Sequence, residues 1–173
     1  MSNFTPAMDT RIRLATEADA DAINGIYNFY VRKSTCTWHL TEETLEGRKK
    51  WFRNRKSCHP VFVIELEGKV IGWGSLSLYN SREGWSKTVE DSIFISHLHH
   101  RKGYGKQLLE ALLKRAEALG HLAVIARISG EQTASIKLHE SVGFKQAGVL
   151  RGVGQKFGQD LDCVYLLKSL HKP

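Results

Sequence analysis

The sequence lacks the features that mark several classes of protein. None of its apolar runs approaches the ~18–20 residues that a membrane-spanning helix needs. The first residues, MSNFTPAMDTR, contain no apolar core of a signal peptide, so we expect no secretory signal. The three cysteines, Cys36, Cys58 and Cys163, are widely spaced and include no CxxC pair, which favours reduced thiols in the cytoplasm. Repeats, linkers and low-complexity tracts are also missing, so we expect one globular domain.

Positive charge is what the chain has in excess. The formal net charge is +7 and the isoelectric point is about 9.4, values that attract polyanions such as nucleic acid or a phosphorylated cofactor. The densest basic run, RKKWFRNRK over residues 48–56, predicts a helix with a solvated basic face and a buried aromatic face. The alternative is a nucleic-acid-binding module with steeply salt-dependent binding. That alternative leaves the motifs described below unexplained, so we expect no nucleic-acid partner.

Apolar periodicity predicts a mixed order of strands and helices. Strands are predicted near residues 11–14, 61–66, 70–78, 89–95, 122–128, 144–150 and 164–167. Helices are predicted after Thr16, from Thr41, after Gly105 and from Ala134, and glycines at 152, 154 and 158 predict a turn-rich section. The strand–helix–strand order around the long third helix implies parallel pairing. We therefore expect one α/β domain over residues 11–170 and a poorly ordered N-terminal extension over residues 1–10.

One segment, TVEDSIFISHLHHRKGYG between Thr88 and Gly105, indicates both a cofactor and a chemistry. A strand carrying two acids, Glu90 and Asp91, is followed by a basic loop that ends in glycines and opens a long helix. Glycine lets the backbone approach a phosphate, which the free N–H groups and the dipole of the helix start attract. A pyrophosphate site is therefore predicted at Arg101, Lys102, Gly103, Tyr104, Gly105 and Lys106. Because side chains alternate along a strand, only one of the two acids should face a substrate.

The three histidines in this loop, His97, His99 and His100, raise the alternative of a metal site. They have no cysteine or carboxylate partner at a recognised zinc spacing. We therefore expect no metal and interpret the histidines as a source of positive charge beside a polyanion.

The loop HRKGYG, residues 100–105, is similar to the signature [Q/R]-x-x-G-x-[G/A] of the GCN5-related N-acetyltransferase superfamily, with His100 in place of Gln or Arg. The segment ASIKLHESVGF, residues 134–144, is similar to the superfamily's second signature. Together with TVEDSIFI and GQKFGQDLDCVYL, these motifs resemble the phosphinothricin and methionine sulfoximine acetyltransferase subfamily from about residue 12 to residue 170. The resemblance implies a single-domain α/β GNAT fold. Its central mixed sheet should have about six to seven strands flanked by helices, with a splayed strand pair at the acetyl-CoA site.

The resemblance implies that this enzyme is an N-acetyltransferase with acetyl-CoA as its donor, and it assigns the chemistry to two side chains. Glu90 is the expected base, acting on an amine directly or through a water. The alternative for Glu90 is a structural acid paired with Arg or Lys. His139 is expected to protonate the leaving thiolate, and a structural histidine is its alternative.

Further residues are expected to hold the cofactor. Backbone N–H groups of Ile93, Phe94 and Ile95 would stabilise the thioester oxyanion and hold the pantetheine where the strands splay. Gln132 stands where many members of the superfamily have an Asn that contacts the pantetheine arm, and Ser135 follows in the same motif.

The acceptor that the resemblance implies is a small amino-acid-like molecule with a free α-amine and a carboxylate or related anion. Arg82 is expected to hold that anion as a charge-assisted fork. The candidate acceptor contacts are Tyr27, Asn80, Ser81, Arg82, Glu90, Asp91, Ser92, Lys156 and Phe157. The alternative acceptor is the N-terminal amine of a peptide or protein. The resemblance also implies a homodimer with the site near the subunit interface.

Overall fold

A computed structural model of the protein describes residues 10–170. The strands are β1 (Thr10–Leu14), β2 (Val61–Leu66), β3 (Lys69–Leu78), β4 (Thr88–Ile95), β5 (Ala123–Ser129), β6 (Lys145–Lys156) and β7 (Gln159–Ser169). The helices are α1 (Ala20–Lys33), α2 (Leu45–Arg53), α3 (Tyr104–Ala118) and α4 (Thr133–Ser141). In this part of the chain no helix is long and apolar enough to cross a membrane.

All seven strands form one sheet in the order β1-β2-β3-β4-β5-β7-β6. Neighbouring strands are antiparallel except β4 and β5, which are parallel. The parallel pair is joined only where Thr88–Glu90 lies beside Ala123–Ile125, although the two strands continue to Ile95 and Ser129. We call the opening between their unpaired ends the cleft. The predicted mixed sheet with a splayed strand pair is thereby confirmed.

Two helical layers cover opposite faces of the sheet. The apolar stripe of α3 packs on one face, which we call the α3 face; its core contains Leu76, Val89, Leu109, Leu112, Leu113, Ala116, Val124 and Leu166. The opposite face, which we call the α1 face, packs against α1 and α2 through Ile23, Tyr27, Val31, Val61, Val63 and Trp73. Each large apolar side chain buried in this way stabilises the fold by about 1.5–3 kcal/mol.

The close approach of α3 to β3 depends on a glycine. A Cβ atom at Gly74 would lie 2.8 Å from the Cδ1 atom of Leu112 and 3.0 Å from the backbone oxygen of Ser92. Any larger residue at this position would push α3 away from the strand that supports the cleft.

Two boundary predictions were wrong. Helix α2 begins at Leu45 rather than Thr41, and its cap is Thr44, whose Oγ1 accepts a hydrogen bond of 3.0 Å from the N–H of Gly47. The preceding segment stays extended because the side-chain amide of Asn28 bonds both backbone groups of Glu43.

The predicted turn-rich section is instead the second half of β6, because its glycines accommodate a register shift between Leu150 and Gly154. The turn comes later, at Phe157 and Gly158, which have φ angles of 53° and 72°. The predicted N-terminal extension lies outside the described residues, apart from Thr10, which begins β1.

Candidate active site

The backbone of β4 presents N–H groups to the cleft in an alternating pattern. The N–H of Ser96 donates to the oxygen of Ile71, so even-numbered residues of β4 bond to β3 in this antiparallel ladder. Ile93 and Ile95 therefore turn their N–H groups toward the cleft, where β5 no longer pairs with them. The N–H of Phe94 faces β3, which contradicts its prediction as a backbone donor to the thioester.

The loop over residues 96–103 and the start of α3 have the geometry of an anion site. Gly103 caps α3 with a φ of 82°, in the left-handed region that glycine adopts readily. Arg101 also lies in that region, with a φ of 60°. The first N–H groups of α3 begin at Tyr104, whose ring is buried, so only its backbone is available to a ligand. Arg101, Lys102 and Lys106 stand around this helix start.

A hydrogen-bonded cluster connects α1 to this loop. Tyr30 donates its hydroxyl proton to the backbone oxygen of Ile95, and the Nε2 atom of His100 lies 2.6 Å from the tyrosine oxygen. The same nitrogen lies 3.2 Å from the Ile95 oxygen. Because these contacts occupy the carbonyl, the N–H of Ile95 is the backbone group left free at this end of the cleft. Sequence patterns gave no sign of a role for Tyr30.

Glu90 lies at the point where β4 and β5 separate, and it is bound to Arg127. The Nε and Nη2 atoms of Arg127 donate to the two carboxylate oxygens of Glu90 over 2.8 and 2.6 Å. This hydrogen bond raises the pKa of Arg127. The side chains are 19% and 44% exposed, so solvent reaches the pair. The expected structural alternative for Glu90, a pairing with Arg or Lys, is therefore present in the resting site, although sequence analysis missed Arg127.

Asp91 points to the opposite face, as strand alternation requires. Its Oδ2 atom lies 3.0 Å from the Nε2 atom of His139 on α4, and the side chains are only 2% and 4% exposed. The other ring nitrogen, Nδ1, lies 2.7 Å from the backbone oxygen of Ser135. Asp91 is therefore enclosed on the α3 face, away from Glu90, which contradicts its prediction as an acceptor contact.

The surroundings of His139 favour its protonated form. Burial disfavours the charged ring, but the Asp91 carboxylate and the Ser135 carbonyl outweigh that effect and raise the pKa of His139. Both ring nitrogens face acceptors, so both are donors in the imidazolium form. The structure thus favours the structural alternative for His139 over a proton donor to the leaving thiolate.

The amide of Gln132 is directed toward the segment between α1 and α2. Its Nε2 atom donates to the Oγ1 atom of Thr35 over 2.9 Å. Thr35 in turn donates to the carboxylate of Glu131. Ser135 lies one turn into α4, with its N–H bonded to the oxygen of Gln132. Gln132 therefore joins the end of α1 to the cleft side of α4.

A buried lysine and a buried tyrosine both contact Thr37 on the α1 face. The Nζ atom of Lys156 donates to the oxygen of Thr37 over 2.9 Å, and the hydroxyl of Tyr27 lies 2.6 Å from the Oγ1 atom of Thr37. Lys156 is 3% exposed, and burial lowers its pKa. Phe157 lies over the ammonium, 5.1 Å from its ring centre, and is 56% exposed. Ser92 shares the α1 face with Glu90 by strand alternation.

The loop that was predicted to bind the anionic group of the acceptor lies on the surface. Asn80, Ser81 and Arg82 precede a short 3₁₀ turn, and Asn80 accepts a hydrogen bond of 2.9 Å from the N–H of Arg82. Ser81 and Arg82 are exposed, and over residues 10–170 no hydrogen bond joins this loop to Lys156 or Tyr27.

The loop histidines pack against α1. The ring of His97 stacks on Phe29, with centres 3.9 Å apart and planes within 5°. Over residues 10–170, no three His, Cys, Asp or Glu side chains gather as they would around a metal ion.

The fold and the cleft define a class of enzyme, the N-acetyltransferases of the GCN5-related family. Residues 12–165 match the acetyltransferase (GNAT) domain, and the chain belongs to that family. The match confirms the family indicated by the glycine loop and by the two other motifs.

Relatives at high coverage carry more specific names. The chain is 38% identical to the L-methionine sulfoximine/L-methionine sulfone acetyltransferase of Pseudomonas aeruginosa, over 94% of this chain and 96% of the relative. It is 35% identical to the phosphinothricin N-acetyltransferase of Streptomyces viridochromogenes, over 94% and 88%.

Solved structures show the same fold. The yncA protein of Salmonella typhimurium, solved with its cofactor acetyl-CoA, superposes with a TM-score of 0.92 at 34% identity, over 95% of this chain and 96% of that one. A ribosomal-protein-alanine N-acetyltransferase of Brucella melitensis superposes with a TM-score of 0.90 at 38% identity, over 92% and 99%.

Proposed function

We propose that the protein transfers an acetyl group from acetyl-CoA to the α-amine of a small amino-acid-like acceptor, such as methionine sulfoximine, phosphinothricin or a related molecule. The observation that carries this proposal is the position of Glu90. It stands at the apex of a cleft whose backbone N–H groups are free on one side, beside a glycine loop that opens a helix. The names of the relatives support the type of acceptor.

Acetyl-CoA fits this arrangement from its phosphates to its thioester. The pyrophosphate would lie on the N–H groups at the start of α3, with Arg101, Lys102 and Lys106 supplying positive charge. The pantetheine would follow the free edge of β4 and accept hydrogen bonds from Ile93 and Ile95. Gln132 and Ser135 would border the arm on the α4 side.

The proposed reaction is a direct transfer. An α-amine has a reference pKa of roughly 7.7–8.0, so it must lose a proton before it attacks. Glu90 would take that proton, directly or through a water, once its carboxylate is free of Arg127. The N–H of Ile93 or Ile95 would stabilise the oxyanion as the C–N bond forms. The C–S bond then breaks, and solvent rather than His139 would protonate the departing thiolate.

The acceptor would lie on the α1 face, beside Glu90. Tyr27, Lys156 and Phe157 would border the acceptor, and Ser92 would lie between it and the cleft. Lys156 brings a buried ammonium that forms no ion pair among residues 10–170. The loop with Asn80, Ser81 and Arg82 would have to fold over the acceptor to contact it.

We further propose a homodimer and a cytoplasmic location. On β6 and β7 the exposed side chains of Leu150 and Leu167 are 48% and 40% accessible, and a second subunit would cover them. The three free cysteines suit a reducing compartment.

A competing acceptor is the N-terminal amine of a peptide, which the name of the Brucella neighbour suggests. The test is a thiol-release assay with acetyl-CoA across amino acids, their sulfone and sulfoximine analogues, polyamines and short peptides. Turnover of amino acids with no turnover of peptides supports the proposal. Turnover restricted to peptides would show that the acceptor is a peptide and not an amino acid. Absence of acetyl-CoA-dependent turnover with every amine would contradict the proposed activity.

A further inference from the structure

We infer that Arg127 binds the α-carboxylate of the acceptor and thereby selects free amino acids over amines that lack this group. This inference rests on the proposed function and assigns a specificity residue to the same site. Arg127 belongs to none of the motifs that point to acetyl transfer, and the structure alone brings it to the base.

Arg127 lies where β4 and β5 separate, next to Glu90. Glu90 and Ile125 form the last pair that joins β4 to β5. Arg127 lies two residues further along β5, on the same face as Glu90, and its guanidinium crosses the apex of the cleft to reach the carboxylate. An amine that approaches Glu90 from the α1 face must therefore pass beside the guanidinium.

The Glu90–Arg127 pair matches the two charged groups of a free amino acid. A zwitterionic amino acid has an ammonium and a carboxylate on one carbon, which complements a carboxylate and a guanidinium already in contact. The ammonium would replace the guanidinium at Glu90, while the α-carboxylate would take the fork that Glu90 releases. Arg127 uses its Nε and Nη2 atoms for Glu90, so the exchange keeps two charge-assisted hydrogen bonds.

Exposure makes this exchange feasible. The side chain of Arg127 is 44% exposed and that of Glu90 is 19% exposed, so water reaches both ions and can solvate them as the pair opens. A free amino acid would displace Arg127 from Glu90 as it binds, and the carboxylate of Glu90 could then act as the base. An amide or a peptide N-terminus would leave Arg127 on Glu90.

The alternative cations near the site are less suited to this role. Arg82 stands on an exposed loop, and no hydrogen bond or ion pair within residues 10–170 joins its guanidinium to Glu90. Lys156 is buried and committed to the oxygen of Thr37.

The test compares an acid with its amide. The substrates are L-methionine sulfone and its α-carboxamide, each assayed with acetyl-CoA against wild type, Arg127→Gln and Arg127→Lys. Arg151→Gln is the matched control, because Arg151 is an exposed arginine on the same sheet that pairs with Asp162. Thermal unfolding of each variant checks the fold.

Wild type is expected to prefer the acid in kcat/KM. Arg127→Gln should reduce that preference by about 10- to 100-fold, mainly through the KM of the acid, as expected for the loss of charge-assisted hydrogen bonds. Arg127→Lys should keep part of the preference, and Arg151→Gln should keep all of it. The KM for acetyl-CoA should be unchanged, a result that a general structural defect would not give.

Three results would overturn the inference. An unchanged preference in Arg127→Gln removes Arg127 as the carboxylate site. Equal use of acid and amide by wild type also removes it, while the proposed acetyl transfer stands. Turnover of neither substrate, with none in the wider amine screen, removes the inference together with the proposed function.

Discussion

Asp91 and His139 form a buried ion pair that joins β4 to α4 beneath the cleft, with 3.0 Å between Oδ2 and Nε2. The two elements lie on opposite sides of the opening, since α4 follows β5. The pair therefore fixes how far the two sides of the cleft stand apart. Its burial makes it sensitive to the loss of either partner.

Replacing His139 with Ala should destabilise the protein by about 3–5 kcal/mol, because a buried carboxylate would remain without its cation. Urea unfolding measures this change in the free energy of unfolding. His97→Ala, which removes a partly exposed stacked ring, is the control and should cost much less. Equal losses in the two variants would contradict a special role for the pair.

The same pair should make stability depend on pH. The pKa of His139 is raised above its ordinary 6.5, so its contribution is complete below that value and is lost as pH rises through the higher folded pKa. Relative to Asp91→Asn, wild type should therefore lose free energy of unfolding as pH rises from 6.5 through the higher folded pKa of His139. In the variant the Asp91 charge no longer raises the pKa of His139, and only the Ser135 carbonyl still opposes the effect of burial. A wild-type-minus-variant difference that stays constant over this range would argue against the assignment.

Replacing Glu90 with Gln should lower kcat by about 100-fold or more at neutral pH, because the amine would lose its proton acceptor. Steady-state kinetics with saturating acetyl-CoA measure the loss, and the affinity for acetyl-CoA should be unchanged. Glu117→Gln, an exposed position on α3, is the control. If kcat of Glu90→Gln matched wild type across the pH range, Glu90 would not be the base.

Replacing Tyr30 with Phe should weaken acetyl-CoA binding by about two- to tenfold, as expected for one lost hydrogen bond at the end of β4. The carbonyl of Ile95 would then keep only its longer contact, 3.2 Å, with the ring of His100. The KM of the acceptor should not change. A double variant with His100→Ala should show less than additive loss, since the contact between the Tyr30 hydroxyl and the His100 ring is already lost in either single variant. Strict additivity would show that they act separately.

Local patterns predicted most of the fold. The stripe of leucines fixed α3, and the acid-bearing strand, glycine loop and helix start follow directly from residues close in sequence. The start of α2 was misplaced because Thr41 and Thr44 are equally good caps, and a side-chain bond from distant Asn28 decides between them. The glycines of β6 were interpreted as turns because a register shift uses the same residue.

The candidate site was predicted less completely for the same physical reason. Glu90, Ile93, Phe94 and Ile95 lie in one strand, and the resemblance to the acetyltransferase motifs indicated their expected roles, although the N–H of Phe94 faces β3. Arg127 reaches Glu90 from 37 positions away, and Tyr30 reaches Ile95 from 65 positions away. Only the register of β4 against β5 and the packing of α1 bring these side chains together.

Mass spectrometry can distinguish direct acetyl transfer, from acetyl-CoA to the α-amine of a small amino acid, from transfer through an acetylated enzyme. The protein is mixed with acetyl-CoA alone and then with L-methionine sulfone, and protein, thiol and product are quantified. Direct transfer predicts no acetylated protein in the first step, then one N-acetyl amino acid for each thiol released. Thiol release without that product, or an acetyl-enzyme that passes its group to the acceptor, would contradict it.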